Sequence, residues 1–198
     1  IAGLGLHRIW AEMTGGPVAP QGHRRSAFVA AAVIVGMGSG AVADAGWPTM
    51  AASVVLGGML LLLATLDITH FWLPDRLTVP LGAAGLVAQA MGIGPGLASG
   101  VLAMALGFGA LWLVGAVYRA VRGHEGLGGG DPKMLAAIGA WLAPESLPWV
   151  VLLAALLGIA VMAFGRVAGR SAHRFTRLPF GALMAAAAWP LWLGGQLA

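Results

Sequence analysis

The chain has 198 residues, of which 59% are hydrophobic and only 9% are charged. A soluble domain carries about 25% charged residues, so this composition excludes an ordinary soluble protein and requires lipid as the solvent. The net charge of +4 comes from a few basic residues that lie between apolar stretches rather than in one patch, which excludes a nucleic-acid-binding surface.

Seven apolar segments are candidates for bilayer-crossing helices, each of which needs about 20 mostly apolar residues. The fifth is short, so it either begins in the preceding glycine-rich stretch or inserts only partly. We therefore predict an all-α, polytopic membrane protein with about seven transmembrane helices, and the 32 glycines favour close helix packing. The segments are 27–45, 50–69, 77–94, 97–118, 132–144, 147–165 and 180–197.

The distribution of charge predicts the domain organisation and the orientation. If the seven spans alternate, all eleven Lys and Arg residues fall on one side, including those of the connection 166–177. The positive-inside rule makes that side cytoplasmic. Residues 1–26 are then a cytoplasmic lead-in, which can be the remnant of a longer segment, and residues 27–198 form one membrane-embedded domain. We interpret the eight tryptophans as anchors at the membrane interfaces.

Two acidic residues end up at membrane depth. Asp67 ends the apolar run 54–66 and is followed by further apolar residues, so nothing in the local sequence neutralises it. Ionisable groups in a membrane are costly and usually mark a functional site. Asp131 follows three glycines, which permit unusual backbone angles and also close approach of another segment.

Both acids lie at the cytoplasmic ends of their predicted spans, which favours a pair of aspartates acting together. Like charges held close do not both ionise readily, so one carboxyl group stays protonated. The ionised member can take a proton from water as the water attacks a peptide carbonyl, and the protonated member can donate one. This chemistry requires no metal and no organic cofactor. The catalytic candidates are therefore Asp67 and Asp131.

Structural interpretations compete with the catalytic one. Asp131 precedes Pro132, which is the pattern of a capped helix start. Asp75 follows Pro74 and could also only begin a helix. Lys133 either faces lipid head groups or holds a carboxylate in place.

Three motifs resemble those of one family, the type IV prepilin peptidases. The segment 67–78, with its Asp and its later Leu-Pro-Asp turn, resembles the first signature of that family. The sequence 128–131 fits its Gly-x-Gly-Asp signature, and 178–181 resembles the Pro-Phe-Gly start of its last helix. The three matches occur in the expected order.

The resemblance implies a bundle typical of Gly-x-Gly-Asp membrane aspartic proteases, located in the bacterial inner membrane as a multi-pass protein with the active site facing the cytoplasm. It implies Asp67 and Asp131 as the catalytic pair. The implied partners are membrane lipid and the basic leader peptides of prepilins or pseudopilins, in pilus assembly or type II secretion. The supporting residues that it implies are Asp75, Gly128, Gly130, Lys133 and Pro74.

The chain also departs from the family pattern. Many relatives carry a zinc-binding insert with paired cysteines near the N-terminus and methylate the new N-terminus of the product. This chain has no cysteine and no room for that insert in residues 1–26, which puts methyltransferase activity in doubt. The alternatives are another intramembrane aspartic protease of preflagellin or presenilin type, a proton-coupled carrier, and an inactive assembly scaffold.

Overall fold

The computed structural model describes residues 21–167 and 178–197. Most of the predicted lead-in and most of the basic connection 166–177 therefore lie outside the described residues. The first helix begins at Gln21, six residues before the predicted start of the membrane domain at residue 27.

The described residues form seven α-helices and two short 3-10 turns, and each predicted apolar segment corresponds to one of the helices. The prediction of an all-α membrane protein is confirmed. The helices are α1 (Gln21–Ala41), α2 (Trp47–His70), α3 (Asp75–Ala90), α4 (Leu97–Arg122), α5 (Asp131–Gly139), α6 (Leu147–Val167) and α7 (Phe180–Leu197).

Three regions are long and apolar enough to cross a membrane: Trp47–His70, Leu97–Arg122 and Pro144–Phe164. Of the two interpretations of the short fifth segment, 132–144, the structure does not support a start in the preceding glycine-rich stretch, because the helix begins at Asp131, and it is compatible with partial insertion. Helix α5 has nine residues; at 1.5 Å per residue it is about 14 Å long, roughly half of the hydrocarbon core. It cannot cross the bilayer alone.

The short helix α5 lies inside the bundle, where it packs against α3, α4 and α7. Glycine allows the closest of these contacts, as the composition predicted. A Cβ atom built on Gly107 of α4 would lie 2.9 Å from the carbonyl oxygen of Leu135, and one on Gly139 would lie 2.7 Å from that of Ala103. Real Cβ atoms do not come so close, so a side chain at either glycine would push α4 and α5 apart.

The interpretation of all tryptophans as interface anchors is wrong for two of them. Trp141 and Trp192 are each 1% exposed, and their rings meet edge to face with centroids 5.5 Å apart. The Trp141 indole N–H donates to the carbonyl oxygen of Leu81, and that of Trp192 donates to the Ser53 hydroxyl. Buried indoles with satisfied N–H groups join the helices rather than contact lipid.

Candidate active site

Asp67 lies in the last turn of α2, just before that helix ends. The helix stops at Phe71, which adopts left-handed backbone angles of φ 51° and ψ 38° and donates its N–H to the carbonyl oxygen of Asp67. A non-glycine residue in this region is uncommon, and it turns the chain sharply into the loop 71–74. The Asp67 side chain is only 5% exposed. The turn therefore places a carboxylate in the protein interior rather than at the aqueous surface.

The start of α7 receives this carboxylate. The backbone N–H of Ala182 donates to Asp67 Oδ2 at 2.8 Å, across 115 residues of sequence. Gly181 makes the approach possible, because a Cβ atom there would lie 3.0 Å from the same oxygen. The free N–H groups of a helix N-terminus stabilise a negative charge, so α7 favours the ionised form of Asp67.

Asp131 is the first residue of α5 and is 7% exposed. Its Oδ2 accepts a hydrogen bond from the N–H of Gly128 at 3.1 Å, so the carboxylate turns back over the glycine loop. The residue that precedes α5 at its N-terminus is Gly130, and no side chain caps the helix there. The geometry therefore does not favour the interpretation of Asp131 as a simple helix cap.

The glycines of this loop are required for close approach and not for unusual backbone angles. Gly130 has φ −80° and ψ −26°, which any residue can adopt, and neither Gly126 nor Gly128 has a positive φ. A Cβ atom on Gly128 would lie 3.1 Å from Asp131 Oδ2, and one on Gly126 would overlap the ring of Tyr118. Of the two reasons that the sequence offers for these glycines, the structure supports close approach.

Asp131 has an unusual electrostatic environment. Helix α5 is too short to cross the membrane, so this carboxyl group lies outside the three membrane-length helices. Burial, and then repulsion from the Asp67 carboxylate, raise the pKa of Asp131 to about 6, while the N–H of Gly128 opposes the rise. The two acids thus interact electrostatically although 64 positions separate them in the sequence.

Lys133 and Asp75 form an ion pair at the rim of the site. The Lys133 Nζ donates to the two carboxylate oxygens of Asp75 at 2.7 and 2.9 Å, with both side chains about half exposed. Of the two interpretations of Lys133, the structure supports the one in which it holds a carboxylate, and that carboxylate is Asp75. Pro74 flanks the start of α3, so Asp75 is also the first residue of a helix, as its sequence context predicted.

One cavity of about 1410 Å³ brings these groups together. It contains both catalytic candidates and all five supporting residues named from the sequence. It also contains Leu73, the leucine of the Leu-Pro-Asp turn, to which no role is assigned from the sequence. Its lining includes Asp67, Leu73, Pro74, Asp75, Arg76, Glu125, Gly128, Gly130, Asp131, Lys133 and Phe180. Among the described residues, no group of three or more His, Asp or Glu side chains could hold a metal ion.

The site contains functional contacts that the sequence did not reveal. The N–H of Ala182 has no sequence signal, because any residue supplies a backbone donor. Gly181 has a sequence signal, since it belongs to the Pro-Phe-Gly motif. The motif alone does not indicate that Gly181 lies beside Asp67.

Fold and site together define a helical membrane protein in which two buried aspartates from separate motifs line one cavity. Residues 54–163 match the model of the type IV leader peptidase family, and the chain belongs to that family. The resemblance stated from the motifs is confirmed. The match does not favour the alternatives of a preflagellin- or presenilin-type protease or a carrier.

Several characterised bacterial proteins are similar to this chain, and each is named a prepilin leader peptidase/N-methyltransferase. The protein of Aeromonas hydrophila is 39% identical over 151 residues, which are 76% of this chain and 51% of that protein. The protein of Burkholderia pseudomallei strain 1026b is 39% identical over 171 residues, or 83% and 55% of the two chains. That of Pseudomonas aeruginosa PAO1 is 36% identical over 145 residues, or 73% and 50%.

The chain thus spans about half the length of the curated relatives it matches. No solved structure matches it significantly. The relatives' names include a methyltransferase activity. The family match, residues 54–163, contains both Asp67 and Asp131.

Proposed function

We propose that this protein is an aspartic endopeptidase that cleaves the leader peptide of type IV prepilins or pseudopilins, with Asp67 and Asp131 as its catalytic pair. The observation that carries the proposal is the shared cavity: the acids of the two family motifs line it together. The names of the relatives support the substrate class. The proposal concerns peptide cleavage and does not include methylation.

We assign different roles to the two acids on the basis of their hydrogen-bond partners. Asp67 accepts the Ala182 N–H at the start of α7, which stabilises its ionised form against the cost of burial, and we assign it as the base that takes a proton from the attacking water. Asp131, whose pKa is raised to about 6, acts as the acid and donates to the carbonyl oxygen of the scissile bond. When the tetrahedral intermediate collapses, the C–N bond breaks, one hydroxyl of the intermediate returns its proton to Asp131 as the carbonyl re-forms, and the proton on Asp67 passes to the leaving amine.

The charge of the cavity is suited to a basic leader. Its lining includes four acidic side chains, those of Asp67, Asp75, Glu125 and Asp131, and two basic ones, Arg76 and Lys133. The excess of negative charge attracts a basic peptide and opposes binding of a nucleic acid backbone.

The position of the cavity supports an active site on the cytoplasmic face of a bacterial inner membrane. Its lining comes from residues 62–77, 125–133, Leu178 and Phe180, which form the bundle end whose connections carry the basic residues. The positive-inside rule assigns that end to the cytoplasm. A leader peptide made in the cytoplasm reaches the site from this side, while the apolar part of the substrate stays in the lipid.

The test is cleavage of a purified prepilin by the protein in detergent or lipid, with Asp67→Asn and Asp131→Asn variants beside it. Loss of either catalytic member should reduce the rate by about a thousandfold or more. Asp44→Asn is the matched control, because Asp44 is exposed in the short 3-10 turn before α2, far from the cavity. Cleavage that persists in either the Asp67→Asn or the Asp131→Asn variant would contradict the proposed catalytic pair.

A further inference from the structure

Leu73 occupies an unusual place for a loop residue. It lies in the loop 71–74 between α2 and α3, yet it is only 7% exposed and it lines the cavity that holds both acids. Its apolar side chain therefore points into the protein beside two carboxylates.

Two glycines contact this side chain. A Cβ atom on Gly130 would lie 2.9 Å from Leu73 Cβ and 3.3 Å from its Cδ1. One on Gly181 would lie 2.8 Å from Leu73 Cδ1 and 3.2 Å from its Cδ2. Real Cβ atoms essentially never come within 3.0 Å of another atom, so the two backbones touch the leucine as closely as glycine permits.

Each of these glycines is adjacent to a group that acts in the site. Gly130 precedes Asp131 directly, and Gly181 precedes Ala182, whose N–H holds the Asp67 carboxylate. A displacement of either backbone segment by a fraction of an ångström therefore moves one acid or the donor that orients the other.

We propose that Leu73 is a positioning residue whose side chain sets the separation between the loop that carries Asp131 and the start of α7 that orients Asp67. This inference rests on the proposed function for its catalytic consequence. The spacing itself is a property of the resting protein and can be measured without a substrate.

The kinetic test compares substitutions at Leu73 in prepilin cleavage. Leu73→Ala should lower kcat about 10- to 100-fold while KM changes less than about threefold, because reacting groups displaced by about 1 Å lose rate on that scale. Leu73→Met nearly conserves volume and should retain kcat within about threefold. Leu56→Ala is the matched control: Leu56 is 1% exposed but lies three turns from Asp67 in α2, so its loss should leave kcat nearly unchanged.

A mutant cycle with Gly181→Ala separates positioning from general packing. The added methyl group would lie 2.8 Å from Leu73 Cδ1 and 3.0 Å from Asp67 Oδ2, so Gly181→Ala alone should reduce kcat strongly, and Leu73→Ala should relieve only the first of these two contacts. Leu73→Ala removes the leucine methyls, and the double variant should lose less than the product of the two single losses. The combination of Gly181→Ala with Leu56→Ala should show the simple product. If the combination with Leu73→Ala is also multiplicative, the proposal is wrong.

A distance measurement tests the spacing independently of activity. The sequence has no cysteine, so spin labels can be placed on Gly129→Cys in the loop that carries Asp131 and on Ala186→Cys in α7 alone. Ala186 is exposed, and a Cβ on Gly129 would meet no atom within 4 Å. Leu73→Ala should shift or broaden the label-to-label distance in the resting protein, whereas Leu73→Met and Leu56→Ala should not.

The outcomes are distinguishable. If the parent protein cleaves no prepilin, the proposed function fails, while the label distances still decide whether Leu73 sets the spacing. An unchanged distance distribution in Leu73→Ala overturns the proposal. If that variant does not fold, Leu73→Val takes its place, with the same expected direction and a smaller shift.

Discussion

The two ends of the bundle treat buried polar groups in opposite ways. At the end distant from the cavity, several buried polar side chains have neutral partners: the indoles of Trp141 and Trp192 donate to Leu81 and Ser53, and Gln89 contacts Ala140 and Gly96. At the cavity end, two carboxylates are buried near each other, and within residues 21–167 and 178–197 neither forms an ion pair with a cation. One end stabilises the fold, and the other holds the two acids that we propose to be catalytic.

The largest expected effect on stability comes from a substitution at the end of the bundle that is distant from the cavity. Trp192→Ala should lower the free energy of unfolding by about 3–5 kcal/mol, because it removes a buried aromatic ring and its hydrogen bond. Trp149→Ala is the matched control, since Trp149 is 58% exposed at the start of α6 and its loss should cost little. Equilibrium unfolding in detergent measures the free energy of unfolding of both variants. Equal losses of stability in the two would contradict the role of the buried Trp192 in holding the helices together.

A smaller effect of opposite sign is expected at the cavity end. The pKa of Asp131 is raised from 3.8 to about 6, so the folded state binds this proton more tightly than the unfolded state. Stability from this group is fully present below about pH 4 and is lost as the pH rises to about 6, a change of about 3 kcal/mol. Asp131→Asn should therefore stabilise the protein by about 1–3 kcal/mol at pH 7.5 and have little effect near pH 4.

The control for that prediction is Asp44→Asn, at an exposed position. It should change the stability little at either pH. If Asp131→Asn destabilises the protein at pH 7.5, the buried carboxylate does not carry the electrostatic cost that we assign to it.

The smallest expected effect concerns the ion pair at the rim. Because Lys133 and Asp75 are about half exposed, their pairing should contribute less than about 1 kcal/mol to stability. Lys133→Met should reduce cleavage a few-fold at most, and the loss should resemble that in the parent protein at high salt. A loss as large as that of Asp67→Asn would place the pair in the chemistry itself.

The sequence predicted the elements of the fold well and their contacts poorly. Long apolar runs place helices reliably, and seven helices occur where seven segments were predicted. Helix α5 is shorter than the segment 132–144, because it ends at Gly139 against the backbone of Ala103, although apolar residues continue beyond it. Hydropathy cannot distinguish a segment buried by protein from one buried by lipid.

The same limit applies to the site. Asp67 and Asp131 could be selected because charge is rare in apolar surroundings and because both lie in recognisable motifs. Leu73 belongs to the Leu-Pro-Asp turn of the first motif, but its contacts with Gly130 and Gly181 could not be predicted, because those glycines lie far from it in the sequence. The partner of Lys133 is 58 residues away, so only the fold identifies it.

The central claim is that Asp67 and Asp131 form one electrostatically coupled pair. Carbon-13 labelling of the aspartate carboxyl groups gives four signals in this chain, from Asp44, Asp67, Asp75 and Asp131, which can be assigned with single Asp→Asn variants. We predict that Asp131 titrates near pH 6 in the native protein and at a lower pH in Asp67→Asn, because the neighbouring negative charge is gone. A titration of Asp131 that is the same in both proteins would contradict the coupled pair.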